Sequence, residues 1–336
     1  MSGSQRLLII TRKIETSSFR QRIEPYIEHL TARGIDCEVQ ELKQGRGRRA
    51  QLKAACNYLG VWIHKKTLTR MDAFRLRRNA KKVIYEFDDA IVFRSGSESP
   101  DPHPLRLKRF RRTIGLANLV IAGNEVLADL ARDYGAQDVA VIPTGLDTSR
   151  YAPKAHEHET DQIRLVWIGA DGMLKQLREF TEMLDSISWE LPDVILRVIA
   201  DDELITETLP VENLSWSRKE EVRMLNECDI GIAPLPDTPF AQGQCAFNVL
   251  QYMAAGLPVV SSPIGANAEY VADYESGFLA YDDRHWVDSI SQLVYDAELR
   301  TTQGQAGRLR ACDEFDFSVL APKVCDAIMG VLESAD

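Results

Sequence analysis

The chain has 336 residues, of which 45% are hydrophobic and 27% are charged, and its formal net charge is −10. This length allows two domains with a core each, and the composition is typical of a soluble globular protein. No apolar run approaches the roughly eighteen residues that suggest a membrane-spanning helix, and the opening MSGSQRLLII becomes polar too soon for a secretory signal.

Short apolar segments alternate with helical patterns along the first 148 residues. The helix predicted at 19–33 contains Pro25 and is closed by Gly34. A strongly basic helix is predicted to end at Asn79, and another helix covers 125–132. Strands are predicted at 6–10, 37–42, 61–64, 83–87, 119–122 and 139–142. This alternation indicates an α/β fold with a parallel sheet that is covered on both faces.

The polar segment PTGLDTSRYAPKAHEHETDQ, residues 143–162, interrupts this alternation as a domain linker would. Beyond it, a helical stretch is predicted at 284–310, and Ser318 is the predicted N-cap of a last helix. Further strands are predicted at 164–167, 195–199, 228–233 and 259–261. The expected organisation is an N-terminal domain at 1–148, a linker at 149–162, a C-terminal domain at 163–312 and a helix at 313–336 that packs back on the N-terminal domain.

Two adjacent carboxylates follow the fourth predicted strand. Ligands of open parallel sheets bind beyond the carboxyl ends of the strands. Asp88 and Asp89 stand there in the run EFDDA. We predict them as catalytic residues, because a carboxylate can orient an attacking hydroxyl group. The alternative is that they cap a turn, as Asp commonly does.

Residues 230–269 predict a strand, a loop, a helix and a second strand, which is one unit of a parallel sheet. The loop holds three prolines and one glycine, and Gly256 and Pro258 end the helix. A helix N-terminus offers free backbone amides and a favourable dipole to an anion. We therefore predict an anion site at Cys245, Ala246, Phe247 and Asn248, with an ordinary strand-to-helix turn as the alternative.

The run YMAAGLPVVSSPIGANAE resembles the nucleotide-sugar-binding segment of family-four retaining glycosyltransferases, and PTGLD…Y resembles their hinge. This resemblance implies the GT-B fold, in which two Rossmann-like domains face one cleft. It also implies transfer of a sugar from a nucleoside-diphosphate sugar to a hydroxyl of a glycan or lipid-linked acceptor, without a metal or other cofactor. The loop with Ser17, Ser18 and Arg20 would then lie on the acceptor side.

The resemblance also implies a set of donor-binding residues. Two glutamates stand eight positions apart in the family, where this chain has Gly243 and Gln251. A subgroup has lysines where this chain has Gln244 and Asn248. Gln251 is expected to bind ribose hydroxyls, because an amide can hydrogen-bond to them through both its oxygen and its nitrogen. The remaining members are Gly169 and Lys175 for the phosphates, Cys245, Ala246 and Phe247 at the helix N-terminus, and Glu269, for which a capping role is the alternative.

Several functions are disfavoured by missing motifs. There is no GxGxxG after the first strand and no GxxxxGK[ST], so a dehydrogenase or a P-loop NTPase is not expected. The six histidines, among them His156 and His158, lack the spacing of a metal site. Two alternatives remain open: a non-catalytic scaffold or binding protein of the GT-B fold, and a sugar-nucleotide epimerase or phosphorylase of that fold.

The charge is unevenly distributed along the chain. Residues 1–150 carry 27 Lys and Arg against 17 Asp and Glu, a net charge of +10, and the remainder carries 13 against 33, a net charge of −20. Basic runs lie at 46–49, 65–82 and 106–112. An anionic membrane surface is the expected partner, with solvated helix faces as the alternative. Nucleic acid is not expected, because the runs contain no known nucleic-acid-binding motif.

The six scattered cysteines form no CxxC pair, which is typical of reduced cytosolic thiols. The expected location is the cytoplasm, with peripheral attachment to the inner membrane leaflet.

Overall fold

The computed structural model describes residues 5–94, 99–152 and 162–334. They form two compact units. The first contains residues up to Gly145, the segment Gly243–Cys245 and residues from Phe317 on. The second contains Leu146–Gln242 and Ala246–Asp316. The division differs from the expected domains in that Gly243–Cys245 is grouped with the N-terminal residues. Most of the predicted linker, with His156 and His158, lies outside the described residues.

The elements of the N-terminal part begin and end as follows. They are β1 Gln5–Thr11, α1 Ser17–Arg22, α2 Glu24–Ala32, β2 Ile35–Glu41, α3 Gly45–Lys53, β3 Gly60–His64, α4 Arg70–Asn79, β4 Val83–Phe87, α5 Pro104–Ile114, β5 Leu119–Ala122, α6 Glu125–Asp133 and β6 Val139–Val141.

The remaining elements follow in chain order. They are β7 Ile163–Ile168, α7 Asp171–Leu177, α8 Thr181–Glu190, β8 Val194–Ile199, β9 Val211–Leu214, α9 Glu221–Asn226, β10 Ile230–Ala233, α10 Pro239–Gln242, α11 Phe247–Ala254, β11 Val259–Ser261, α12 Ala266–Tyr270, β12 Gly277–Leu279, α13 Asp283–Tyr295, α14 Ala297–Arg310 and α15 Phe317–Glu333.

Each unit contains a six-stranded parallel sheet. The strand orders are β2-β1-β3-β4-β5-β6 in the first unit and β12-β11-β10-β7-β8-β9 in the second. All neighbouring strands pair in parallel. The predicted α/β class with two parallel sheets is therefore confirmed.

Helices cover both faces of each sheet, because parallel strands must be buried on both sides. In the first unit, α3 to α6 pack on one face through residues such as Leu76 and Phe110, and α1, α2 and α15 pack on the other through Phe19 and Ile328. In the second unit, α8 and α13 cover one face, and α9, α11 and α12 cover the other. The strands β3, β4 and β5 are buried along their whole length.

Three helix predictions were wrong. The helix expected at 19–33 breaks at Ile23, because Pro25 in the first turn of α2 has no backbone N–H with which to continue α1. The stretch expected at 284–310 breaks at Asp296, whose side chain accepts from the Leu299 N–H and caps α14. The last helix begins at Phe317, so Ser318 lies inside it and not at its N-cap.

Within the described ranges, no helix is long and apolar enough to cross a membrane.

Candidate functional site

The first sheet changes direction between β1 and β3. The chain adds β2 on one side of β1 and then crosses to add β3 on the other side. The carboxyl ends of these two strands are therefore the place where an open α/β sheet binds its ligands. Thr11 ends β1 and His64 ends β3, and Asp88 follows the adjacent strand β4. Residues from three separate segments of the chain therefore lie together at the carboxyl ends of the strands.

Asp88 is held by one hydrogen bond and one ion pair. Its Oδ2 accepts a hydrogen bond of 2.6 Å from Ser18 Oγ, and its Oδ1 lies 2.7 Å from Lys65 Nζ. The Asp88 side chain is 12% exposed. Burial acts to raise the pKa of this carboxyl, but Lys65, His64 and Arg22 together hold the pKa well below its usual range. At neutral pH Asp88 is therefore ionised, and its carboxylate accepts hydrogen bonds but has no proton to donate.

Asp89 shares the same lysine but is more accessible, with 36% of its side chain exposed. Partial removal from solvent and the charge of Asp88 raise the pKa of Asp89 above its usual range, against the attraction of Lys65. Lys65 itself adopts a left-handed backbone conformation with φ of 54°. Such a conformation is uncommon for a residue other than glycine, and strain of this kind is often found at functional sites. One ammonium group therefore joins two carboxylates with different proton affinities.

A chain of hydrogen bonds connects Asp88 to the interior through His64. Ser18 Oγ lies 2.9 Å from His64 Nε2, and His64 Nδ1 lies 3.0 Å from Thr11 Oγ1. Burial lowers the pKa of His64 to about 4, so the ring is neutral. The Ser18 hydroxyl has a single proton, and it donates this proton to Asp88. The Ser18 oxygen can therefore only accept from His64, so the imidazole proton must be on Nε2. Nδ1 then accepts from the Thr11 hydroxyl.

A buried ion pair lies beneath this chain. Arg22 Nε donates a hydrogen bond of 2.6 Å to Glu86 Oε1, and Arg22 Nη1 donates one of 2.7 Å to the Ile142 carbonyl. The two paired side chains are 2% and 0% exposed. Burial raises the pKa of Glu86 to about 7, although Arg22 acts to lower it. Glu86 Oε2 is 3.6 Å from His64 Nε2, which is too far for a hydrogen bond.

The segment Gly243–Cys245 contacts the loop after β5. Asn124 Nδ2 donates a hydrogen bond of 3.1 Å to the Gln244 carbonyl. A Cβ atom at Gly123 would lie 2.3 Å from Cys245 Sγ, and one at Gly243 would lie 2.5 Å from Ala90 Cβ. Both positions therefore require glycine for the close approach of the two segments. Burial raises the pKa of the Cys245 thiol, so it is a neutral packing group and not a reactive thiolate.

The second sheet changes direction between β7 and β10. Tyr252 in α11 is hydrogen-bonded to both strands. Tyr252 Oη accepts a hydrogen bond of 3.0 Å from the Ile168 N–H and donates one of 3.3 Å to the Ile232 carbonyl. Asn248 also hydrogen-bonds to this phenol. Gly231 is needed because a Cβ atom there would lie 2.4 Å from the Tyr252 ring. These contacts place α11 beside the carboxyl ends of β7 and β10, where ligands are expected.

The N-terminus of α11 has an unusual entry. Ala246 precedes the helix with φ 45° and ψ 41°, a left-handed conformation, and no side chain caps the helix. The first amides of α11, beginning at Phe247, therefore have no side-chain acceptor, which suits an anion. Gln251, by contrast, is buried and its Nε2 donates a hydrogen bond of 3.3 Å to Tyr151 Oη.

The other predicted residues are placed as follows. Gly169 follows β7, where a Cβ atom would lie 2.5 Å from the Trp167 ring. Lys175 is exposed in α7, and Glu269 is exposed in α12. In the first unit, Ser17 Oγ donates to Gln21 at 2.8 Å and Arg20 Nη1 donates to the Glu15 carbonyl at 2.6 Å.

The structure thus brings Ser18, Asp88 and Asp89 together in the first unit. The predicted donor residues are divided between the units: Gly243, Gln244 and Cys245 are grouped with the first, and the others follow β7, β10 or β11 in the second. Within the described residues, no group of three or more His, Cys, Asp or Glu side chains is arranged to hold a metal ion.

Sequence reasoning missed His64 and Lys65 at this site. His64 is the last residue of a predicted strand and Lys65 follows it directly, so the position at a strand end was an available signal. Arg22 and Glu86 were missed as well, and a charged residue inside an otherwise apolar strand is the signal for Glu86.

Comparisons with known proteins agree with this architecture. Residues 150–296 match the sequence model of the family described as glycosyl transferases group 1. Glycogen synthase of Mycobacterium tuberculosis is 22% identical over 240 residues, which cover 68% of this chain and 56% of that protein. Alpha-maltose-1-phosphate synthase of Mycolicibacterium smegmatis is 25% identical over 254 residues, covering 64% of each. The chain spans about 56–64% of the length of the curated relatives it matches.

Solved structures show the same fold. Sucrose-phosphate synthase of Thermosynechococcus elongatus superposes with a TM-score of 0.74 and 14% identity, over 98% of this chain and 100% of that one. HepE of Anabaena in complex with UDP-glucose superposes with a TM-score of 0.68 and 16% identity, over 97% and 99%. The chain therefore has the GT-B fold, and its residues 150–296 carry the sequence pattern of glycosyl transferases of group 1.

Proposed function

We propose that the protein is a retaining glycosyltransferase that moves a sugar from a nucleoside-diphosphate sugar to an acceptor hydroxyl in glycan or glycolipid assembly. The observation that supports this best is the entry into α11. The loop after β10 reaches the N-terminus of α11 through Ala246, which has a left-handed backbone conformation, and no side chain caps this helix. The N-terminus lies beside the carboxyl ends of β7 and β10. It also lies within residues 150–296, which match the family model. HepE, which has the same fold, was solved in complex with UDP-glucose.

The second unit is proposed to bind the donor without a divalent metal. The negative charge on the leaving diphosphate grows as the glycosidic bond breaks, and the amides and dipole of α11 would stabilise it. Lys175 is proposed to contribute a charge to the phosphates. Gln251 and Glu269 are proposed to contact the nucleoside, Gln251 after exchange of its hydrogen bond to Tyr151.

The first unit is proposed to supply the acceptor-side groups. Because its pKa is held low, Asp88 is a weak base and is better suited to position the acceptor hydroxyl than to take its proton. In the proposed reaction, the bond from the anomeric carbon to the diphosphate breaks and a bond to the acceptor oxygen forms on the same face of the sugar. The acceptor proton passes to the leaving phosphate.

A transfer assay with purified protein tests this proposal. A panel of nucleotide sugars is incubated with glycan and lipid-linked acceptors in EDTA, and the anomeric configuration of the product is read from proton NMR. We expect transfer with the configuration of the donor. An epimerised donor, or binding without turnover, would instead support an epimerase or a non-catalytic binding protein. Transfer with inversion would refute the retaining mechanism.

A further inference from the structure

Three neighbouring helices of the first unit form a strongly basic layer. The helix α4 packs between α3 and α5, and all three contribute to the core on one face of the sheet through residues such as Leu52, Leu76 and Phe110. We call α3, α4 and α5 the basic layer. It contains 13 Lys and Arg residues: Arg46, Arg48, Arg49, Lys53, Arg70, Arg75, Arg77, Arg78, Arg106, Lys108, Arg109, Arg111 and Arg112.

The basic layer has no exposed carboxylate to neutralise these charges. Asp72 is the one acidic residue of its three helices, and it is only 5% exposed. Its carboxylate accepts from Thr69 Oγ1 at 2.7 Å and already pairs with Arg48 and Arg75 at 3.4 and 3.6 Å. An ordinary solvated helix face has charges of both signs, which is not the case here.

Apolar side chains stand among the exposed cations. Met71 and Phe74 in α4 are each 55% exposed, and Leu105 in α5 is 53% exposed. Met71, Phe74 and Arg78 follow helical spacing on the outer side of α4, and the Arg78 guanidinium lies 5.7 Å from the centre of the Phe74 ring. Exposed apolar residues next to basic ones are typical of surfaces that rest in the headgroup region of a membrane.

We propose that the outer face of the basic layer docks on an anionic lipid bilayer. The cations match the charge of the headgroups, and Met71, Phe74 and Leu105 enter the boundary between headgroups and acyl chains. Aliphatic side chains such as Met71 and Leu105 do not stack on nucleobases, so a bilayer fits this surface better than a nucleic acid does. Docking is independent of sugar transfer, and it is measured without donor or acceptor.

Co-sedimentation of the full chain with vesicles tests the proposal. Neutral phosphatidylcholine vesicles are compared with vesicles that contain one third phosphatidylserine, at low and high salt. We expect binding to the anionic vesicles alone, and loss of binding at high salt as the Debye length shrinks. Equal recovery in the supernatant with both lipids at low salt would overturn the proposal, as would retention of single-stranded RNA or duplex DNA without any retention of vesicles.

Matched variants locate the docking surface. R49Q/R70Q/K108Q removes one exposed charge from each helix of the layer, and each lost charge should weaken binding about fivefold. R218Q/K219Q/K323Q removes three exposed charges elsewhere and should have little effect. Similarly, M71S/F74S/L105S should weaken binding, whereas I205S/Y281S/L309S, which removes exposed apolar residues of the second unit, should not. Thermal melting verifies that all variants fold, and equal effects of the paired variants would refute the assignment.

Discussion

Ser18 donates a hydrogen bond of 2.6 Å to Asp88, although seventy positions separate the two residues in the chain. Lys65 lies against the other carboxylate oxygen. Asp88 therefore has both oxygens oriented by the protein, and its orientation is set before any substrate binds. A group held in this way can position a reacting hydroxyl without further rearrangement.

Replacing Asp88 with Asn should lower turnover by about 10²-fold or more, because the change removes the charge and keeps the shape. The affinity for a nucleoside diphosphate should stay within about twofold, since the proposed donor contacts belong to the second unit. Steady-state kinetics and calorimetry measure the two effects. Asp129→Asn, an exposed change in α6, is the control. Wild-type turnover in Asp88→Asn would show that Asp88 only stabilises the turn.

His64 should remain a neutral imidazole with its proton on Nε2 from about pH 5.5 to 8, which nitrogen-15 NMR detects. The pKa of His64 is lowered to about 4 in the folded protein, whereas it is about 6.5 in the unfolded chain. Between these two pH values the unfolded chain therefore binds a proton at His64 and the folded protein does not. This residue therefore contributes a loss of stability as the pH falls from about 6.5 towards 4.

His64→Gln isolates this contribution from those of Glu86 and Asp89, whose raised pKa values act in the opposite direction. A glutamine can donate to Ser18 and accept from Thr11, as the proposed tautomer does. The stability of the variant relative to the wild type should rise by about 2 kcal/mol between pH 8 and pH 5. Denaturation in urea at both pH values measures this change, and a pH-independent difference would contradict the assignment.

The buried pair of Arg22 and Glu86 should show strong coupling. Arg22→Met and Glu86→Gln each leave the other residue buried without its partner, and each should cost about 3–5 kcal/mol of unfolding free energy. The double variant should lose much less than the sum of the two, because no isolated charge remains. Urea denaturation of the four proteins measures the coupling, and additive losses would show that the pair contributes little.

Gly265 should not tolerate a side chain. It precedes α12 with φ 52°, and a Cβ atom would lie 2.3 Å from the Gln242 carbonyl oxygen. Gly265→Ala should destabilise the second unit by about 3 kcal/mol and weaken nucleotide binding. Gly330→Ala in α15 is the matched control, because it has open space and a helical backbone and should gain about 0.5–1 kcal/mol. Similar stability of the two variants would contradict this explanation.

The strands and their alternation with helices could be predicted from the sequence, because apolar runs such as VIYEF and LVIA are short and well separated. The order of strands in the sheet could not. The hydrogen bond between Thr11 and His64 depends on β3 pairing with β1, and no periodicity in either segment indicates this pairing. Asp88 was therefore identified as a candidate while the histidine that supports Ser18 was not.

The donor segment shows a similar limit. The strand, loop and helix around α11 follow from proline, glycine and apolar spacing. The left-handed conformation of Ala246 does not, because alanine carries no preference for it and only the surrounding contacts impose it. The hydrogen bond from Gln251 to Tyr151 also joins positions one hundred residues apart, so only the tertiary structure brings them together.

Isothermal titration calorimetry of the purified protein with UDP, GDP, ADP and dTDP in EDTA tests the central claim most directly. We expect at least one of the four to bind in the absence of a divalent metal. Lys175→Gln should weaken that binding about tenfold through loss of a charged phosphate contact, whereas Lys219→Gln should not change it. Failure of all four to bind, or binding that occurs only after addition of Mg²⁺ or Mn²⁺, would contradict a metal-independent nucleotide-sugar site at the N-terminus of α11.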